Sequence, residues 1–118
     1  MQELPAFARA LELTTRPGKL REVIRTLRDQ VTTVWRTQPG FIKEFILASD
    51  AEPDRVVVLT LWTRHEHAEW FHRHHYSRIR QALEPLLEFE PVIRTFNVEN
   101  GLPPVAKPGG SQLRSRPA

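Results

Sequence analysis

The sequence predicts an α+β fold with the element order β-α-β-β-α-β, in which one antiparallel sheet carries two helices on one face. Two segments space apolar residues three and four apart, as a helix does, and four runs of apolar and β-branched residues are typical of strands. Pro and Gly residues separate these segments. This order is the ferredoxin-like arrangement.

The chain begins with a strand and a helix. Residues 7–14 are predicted to form a strand, because the apolar residues Phe7, Leu11 and Leu13 occupy alternate positions. Arg9 interrupts this apolar alternation. A turn over residues 15–18 leads into a helix with an apolar stripe of helical period. The stripe consists of Leu20, Val23, Ile24, Leu27, Val31, Val34 and Trp35. Gln38-Pro39-Gly40 ends this helix.

The second and third strands are predicted over Phe41–Ala48 and Val56–Trp62, with a polar hairpin loop between them. Six of the seven residues in the third strand are apolar and do not alternate with polar ones, which is typical of a strand covered on both faces. Two helices cover one face, and no further chain is left for the other. We therefore expect a homodimer that packs sheet against sheet, which is a commoner solution than an unlike partner.

A second helix is expected to run from about Arg64 toward Leu87, either continuous or broken near residues 75–77. Thr63 and Glu66 have the spacing of a capping box at its start. The last strand is predicted over residues 92–98, directly after a proline.

The basic charge of the chain belongs to its C-terminal tail. The formal net charge is +3, and residues 101–118 contain Lys107, Arg114, Arg116 and no acid. Residues 1–100 therefore hold 14 basic and 14 acidic residues, a net charge of zero. We assign residues 1–100 to the folded domain and expect the Pro- and Gly-rich tail to be mobile. A neutral domain argues against nucleic-acid binding.

Composition excludes several classes of protein. The chain has no Cys, which excludes disulfides, Cys-ligated metals and thiol nucleophiles. No apolar run approaches the roughly 18 residues of a membrane helix, and the N-terminus does not have the pattern of a secretory signal. We expect a cytoplasmic protein without membrane association.

The order of motifs resembles the antibiotic biosynthesis monooxygenase family of dimeric α+β barrels. The resemblance covers about residues 6–98. It rests on Pro17-Gly18-Lys19, Gln38-Pro39-Gly40-Phe41, Val57-Val58-Leu59-Thr60-Leu61-Trp62, Glu69-Trp70-Phe71 and His75-Tyr76. The resemblance implies a family of several activities. Its members include oxygenases that act on phenolic or quinol-type substrates without a cofactor, haem-degrading enzymes and small isomerases, and some members have no known activity.

The haem-degrading branch fits this chain poorly. Its members are implied to carry an Asn on the first strand, a Trp on the second helix and a His ten residues beyond that Trp. Trp70 matches the Trp, but Arg80 stands at the His position and residues 7–14 contain no Asn. We therefore do not favour haem degradation.

All five histidines lie within the eleven residues from His65 to His75. None are spaced i, i+4, as a helical metal pair usually is, so we predict no metal site. Two other interpretations stay open. The imidazoles are solvated or structural, or one of them acts as a base, since its ordinary pKa suits proton transfer at neutral pH.

The candidate site residues follow from the helix geometry. On an unbroken helix His75 lies nearest the centre of the apolar face, whereas a helix broken before Tyr76 favours His74. The candidate catalytic residues are therefore His75, His74 and Tyr76, with Tyr76 as a hydrogen-bond donor to an oxyanion. The candidate substrate-binding residues are Trp62, Trp70, Phe41, Phe45 and His67.

The function these features favour is a cofactor-independent monooxygenase acting on a small aromatic, quinol-type or polyketide-like substrate in a cleft between helices and sheet. Such chemistry needs a base, a dry apolar pocket and a donor to the oxyanion. The alternative is a non-catalytic dimer that binds a small hydrophobic ligand, or an accessory domain. A pocket filled by its own side chains would favour that alternative.

Overall fold

A computed structural model describes residues 4–100, and the predicted tail over residues 101–118 lies outside the described residues. The strands are β1 (Phe7–Thr14), β2 (Phe41–Ala48), β3 (Arg55–Trp62) and β4 (Val92–Asn97). The helices are α1 (Leu20–Thr26), α2 (Thr32–Arg36) and α3 (His65–Leu83), with a π-helical turn over Leu27–Val31 and a 3₁₀ turn over Glu84–Leu86. The predicted element order is confirmed.

The four strands form one antiparallel sheet in the order β2-β3-β1-β4. The helices α1 and α2 follow one another through the π turn, whose flanking residues Thr26 and Thr32 keep right-handed helical dihedral angles. The predicted apolar stripe therefore lies on one nearly continuous helix over residues 20–36. A π turn accommodates an extra residue within a helix. Val23, Leu27, Val31 and Trp35 are all buried across it.

The second helix is unbroken through residues 75–77, and it ends at Leu83, two residues before Pro85. The predicted capping box is wrong. The N-cap residue is Arg64 in an extended conformation, and none of the described side chains caps the helix. Thr63 instead belongs to the strand connection, where its backbone N–H donates to the carbonyl of Gly40 at 2.8 Å.

Both faces of the sheet are apolar, but within residues 4–100 only one of them is covered by helices. On β3, Val56, Val58, Thr60 and Trp62 are buried against the helices, while the residues between them are half-buried. Strand register extends this uncovered side, the open face, across the sheet. The apolar side chains of the open face are Ala8, Ala10, Phe45, Leu47, Val57, Leu59, Leu61, Val92 and Phe96.

Of the helices within residues 4–100, none has both the length and the hydropathy needed to span a bilayer.

Candidate functional site

One polar row crosses the covered face of the sheet. The register aligns Glu44 of β2 with Thr60 of β3, Thr60 with Arg9 of β1, and Arg9 with Thr95 of β4. The two adjacent rows are apolar or aromatic where they meet the helices. They contain Ile46, Val58, Leu11 and Ile93 on one side, and Phe41, Trp62 and Phe7 on the other.

A small cavity of about 20 Å³ lies between this row and the helices. Its polar lining residues are Arg9, Thr60, His72 and Tyr76. Its apolar lining residues are Leu11, Trp35, Val58, Phe71 and Ile93. The volume suffices for about one water molecule. The cavity therefore combines an apolar wall with a few convergent polar groups, as small-molecule sites do.

Arg9 is held by protein groups on two of its three nitrogens. Its side chain is only 12% exposed, and Nη2 lies 3.2 Å from Oε2 of Glu69. Nη1 donates to the carbonyl oxygen of Ala68 at 3.4 Å. The Nε–H is buried and has no hydrogen-bond partner within residues 4–100. Burial lowers the pKa of Arg9, and the Glu69 carboxylate opposes that shift. One buried N–H of a cation is thus left for another acceptor.

His72 and Tyr76 form the helical wall of the cavity. They lie one turn apart on α3 and stack with their ring centroids 4.6 Å apart. Burial lowers the pKa of His72, and the positive charge of Arg9 lowers it further. Burial also raises the pKa of Tyr76. At neutral pH the cavity therefore presents a neutral imidazole, which can accept a proton, and a protonated phenol, which can donate one.

Thr60 and Trp62 support the cavity from the sheet. The indole N–H of Trp62 donates to Oγ1 of Thr60 at 3.0 Å, and that hydroxyl donates to the carbonyl of Arg9 at 3.4 Å. Trp62 is 1% exposed and packs its ring against Phe41 and Phe71. Trp62 and Phe41 therefore form the aromatic packing next to the cavity and do not line it.

Glu44 lies at the far end of the polar row. Its Oε1 accepts a hydrogen bond from the Thr32 hydroxyl at 2.8 Å, while its Oε2 is buried without a partner in the described part of the chain. Burial raises the pKa of this carboxyl group. The row thus holds two incompletely satisfied polar groups, on Arg9 and Glu44.

Four of the predicted residues lie away from the cavity on α3. Trp70 is 44% exposed and stacks on His74, with ring centroids 4.0 Å apart. His75 faces a groove toward the first helix, and its Nδ1 accepts a hydrogen bond from Nη2 of Arg78 at 2.8 Å. His67 packs against Gly40. The structure therefore does not bring these four side chains together with Tyr76.

Phe45 lies on the open face, 39% exposed, so the sheet separates it from the helices. Among the described residues, no cluster of three or more His, Asp or Glu side chains has the geometry of a metal site.

Sequence reasoning missed Arg9, Thr60 and His72. Arg9 lies at the same alternate positions of β1 as Phe7 and Leu11, which indicates that its charged side chain is on the buried side of the strand. That signal was present in the sequence. His72 had no comparable signal, since it lies at the edge of the helix face that the apolar residues define.

The matching sequence model is that of the family described as antibiotic biosynthesis monooxygenase, and it covers residues 6–82. No curated protein sequence matches the chain significantly. Several solved structures share the fold. A monooxygenase from Streptomyces coelicolor, solved in complex with the ligand nanaomycin D, has 18% identity and a TM-score of 0.72, with 86% of this chain and 94% of that chain covered.

A protein of unknown function from Nitrosomonas europaea has 15% identity and a TM-score of 0.73, with 88% of this chain and 99% of that chain covered. A conserved protein from Methanosarcina mazei has 17% identity and a TM-score of 0.68, covering 80% and 93%. At these identities the structures establish the shared fold, and the family model extends over more than half of the sequence. The chain therefore belongs to the antibiotic biosynthesis monooxygenase family.

Proposed function

We propose that the protein is a monooxygenase that uses no cofactor and acts on a small aromatic, quinol-type or polyketide-like substrate. The observation that carries the proposal is that Arg9 and His72 line the same apolar cavity. The buried Nε–H of Arg9 has no partner among the described residues, and burial lowers the pKa of His72, which favours its neutral form. Family membership supports the reaction class. The neighbour that binds nanaomycin D supports an aromatic polyketide-like ligand.

The proposed reaction starts with proton removal. His72 takes a proton from the substrate, and the Arg9 N–H binds the resulting oxyanion, since a buried donor stabilises charge more than water does. The anion passes one electron to O₂, and the radical pair combines to a peroxide. For a methylene flanked by aromatic rings, one oxygen atom becomes the new carbonyl and the other leaves as water with the two hydrogens. The substrate supplies all four electrons.

We assign the sequence-predicted residues accordingly. Tyr76 donates to the peroxide or oxyanion, as expected from the sequence, while Trp62 and Phe41 pack behind the site. The acid–base role moves from His74 and His75 to His72, because only His72 of these three lines the cavity.

The small cavity favours a second candidate function. A volume of about 20 Å³ is far below the several hundred cubic ångströms of typical ligand sites. A substrate ring can enter only if the half-buried His72 and Tyr76 side chains move outward. A cavity so nearly filled by its own side chains is the feature expected of a non-catalytic ligand-binding dimer or accessory domain.

We further propose that two copies pack through the open face. In a single chain, Leu47 and Phe96 are 46% and 49% exposed, and the central Leu59 is only half-buried. A contiguous apolar face of this kind marks an interaction site. Packing against an identical sheet would bury it, as the sequence of β3 predicts.

Oxygen uptake tests the enzymatic proposal. Metal-free and flavin-free protein should consume oxygen with anthrone-type or quinol substrates, with one O₂ used per carbonyl formed. His72→Ala should lower the rate about 100-fold or more, as is typical of a lost general base. His74→Ala and His75→Ala should retain activity, because both imidazoles lie outside the cavity. Absence of uptake across such a panel, together with tight ligand binding, would support the non-catalytic candidate.

A further inference from the structure

We propose that Glu69 determines the charge selectivity of the cavity, so that it accepts a ligand with one weakly acidic hydroxyl group and rejects one with a permanent carboxylate. This inference rests on the proposed function for the location of the ligand. It adds a specificity-determining residue, since Glu69 lies beside the cavity and does not line it.

The first support is the hydrogen bonding of Arg9. A carboxylate binds a guanidinium best through two parallel N–H groups. Here Glu69 and the Ala68 carbonyl each accept one N–H, from Nη2 at 3.2 Å and from Nη1 at 3.4 Å. Nε is the one nitrogen of Arg9 that has no partner among the described residues. Its single N–H suits a hydroxyl or phenolate oxygen. A carboxylate that bound side-on, through Nε and Nη2, would share Nη2 with Glu69 and bring two negative charges together.

The second support is the charge around the cavity. Arg9 is positive and Glu69 is negative, with their charged atoms 3.2 Å apart. His72 and Tyr76 are neutral at neutral pH, since burial shifts both pKa values toward the uncharged forms. The outer neighbour His65 places Nε2 3.4 Å from the same Glu69 oxygen and is itself exposed. The net charge facing the ligand is therefore zero, and a second carboxylate would meet the negative charge of Glu69.

The experiment compares binding of 1-naphthol and 1-naphthoate, which differ in the acidic group on one aromatic frame. Affinities are measured by calorimetry at pH 7 without oxygen, so that turnover is not required. The wild-type protein should bind naphthol more tightly than naphthoate. Glu69→Gln keeps the shape of the side chain and removes its charge. It should raise the naphthoate-to-naphthol affinity ratio about tenfold or more, because the positive charge of Arg9 is no longer compensated.

Glu66→Gln is the matched control. Its carboxylate lies on the same helix less than one turn away, is exposed, and pairs with Arg64, so the same change in net charge should leave the ratio unaltered. In an Arg9→Met background, Glu69→Gln should raise the ratio by less than in the wild type. The repulsion by Glu69 is still removed, but no guanidinium is left uncompensated to attract the naphthoate, and the difference measures the coupling of the pair.

The outcomes separate this inference from the proposed function. If both ligands bind and Glu69→Gln leaves the ratio unchanged, charge selectivity by Glu69 is overturned while the proposed enzyme stands. If Glu66→Gln changes the ratio equally, the effect is one of net charge and the inference also fails. If neither ligand binds, the aromatic site itself is contradicted, and the inference falls with it. Glu69→Asp, which restores the charge, should return the ratio toward that of the wild type.

Discussion

At the scale of single residues, the site depends on a few polar groups placed on an apolar surface. Arg9 and Thr60 stand where the alternation of their strands requires apolar residues, and His72 stands opposite them on α3. Burying a polar group is costly unless it is hydrogen-bonded. The buried Nε–H of Arg9 has no hydrogen-bond partner among the described residues, so its burial costs stability.

The pH dependence of activity should reflect the protonation of His72. Its neutral form accepts the proton, and burial together with the Arg9 charge lowers its pKa below the ordinary value of 6.5. Activity should therefore be constant around pH 7 and fall as the pH drops below 6.5, where the imidazole becomes protonated. The measurement is kcat/KM against pH, which reports groups of the free enzyme. An acidic limb centred above pH 6.5 would contradict the assignment of His72.

At the scale of elements, the turn before β2 depends on a glycine that contacts α3. Gly18 and Gly40 both have positive φ angles, +80° and +78°. A Cβ at Gly18 would meet open space, whereas one at Gly40 would overlap the imidazole of His67. The backbone conformation explains both glycines, but only Gly40 also requires close approach between the turn and the helix.

The two glycines give a matched stability test. Gly18→Ala should cost about 1 kcal/mol of unfolding free energy, from the left-handed backbone alone. Gly40→Ala should cost at least about 1 kcal/mol more, because His67 has to move. Denaturant unfolding measures both, and adding His67→Ala should reduce the excess cost at Gly40 while leaving that at Gly18 unaffected. Equal costs for the two single variants would show that the contact with His67 carries no energy.

At the scale of the whole molecule, the proposed dimer depends on the open face of the sheet. Its apolar side chains come from all four strands, because Ala8 and Ala10 of β1 lie between those of β3 and β4, so the patch is contiguous across the sheet. Charged residues are also present. Glu12 pairs with Arg94 at 2.9 Å and with Arg55 at 3.7 Å, and Arg55 also pairs with Glu52 at 3.3 Å, so two carboxylates balance the two guanidinium groups in this region.

A charge at the centre of the open face should separate the proposed dimer. Leu59→Asp places a carboxylate where the two sheets would meet, and burying it without a partner is unfavourable. Sedimentation at micromolar concentration should change from dimer to monomer, while circular dichroism shows that the fold is kept. Thr33→Asp, an exposed position on α2, should leave the dimer intact. A wild-type protein that sediments as a monomer would refute the proposed assembly.

Much of the fold could be predicted because each element carries its own local signal. The limits of β1 and β2 agree with those predicted, and the apolar stripe on the first helix is buried as expected. The exceptions are local. Thr63 does not cap α3, because its backbone is engaged with Gly40. The possible break near residues 75–77 does not occur, since α3 packs along the sheet and the first helix on both sides of it.

The candidate site could be predicted only in part. The sequence predicted its catalytic candidates on α3, namely His75, His74 and Tyr76. Of these three only Tyr76 lines the cavity, and the histidine beside it there is His72. The helical period predicts where each side chain lies around the axis of α3. It does not predict which of these side chains face the sheet and which face the first helix, and α3 packs against both. His72 and Tyr76 are consequently directed to the cavity, and His75 to the groove beside Val31 and Val34.

By itself, the sequence determined the order of elements, the apolar character of both sides of β3 and the family, because these depend on local periodicity and on motifs close together in the chain. Only the tertiary structure decided which side chains meet. Arg9 and Glu69 are 60 residues apart and contact each other only because β1 lies beneath the first turns of α3. A contact of that kind depends on how elements pack, and residue spacing along the chain does not contain that information.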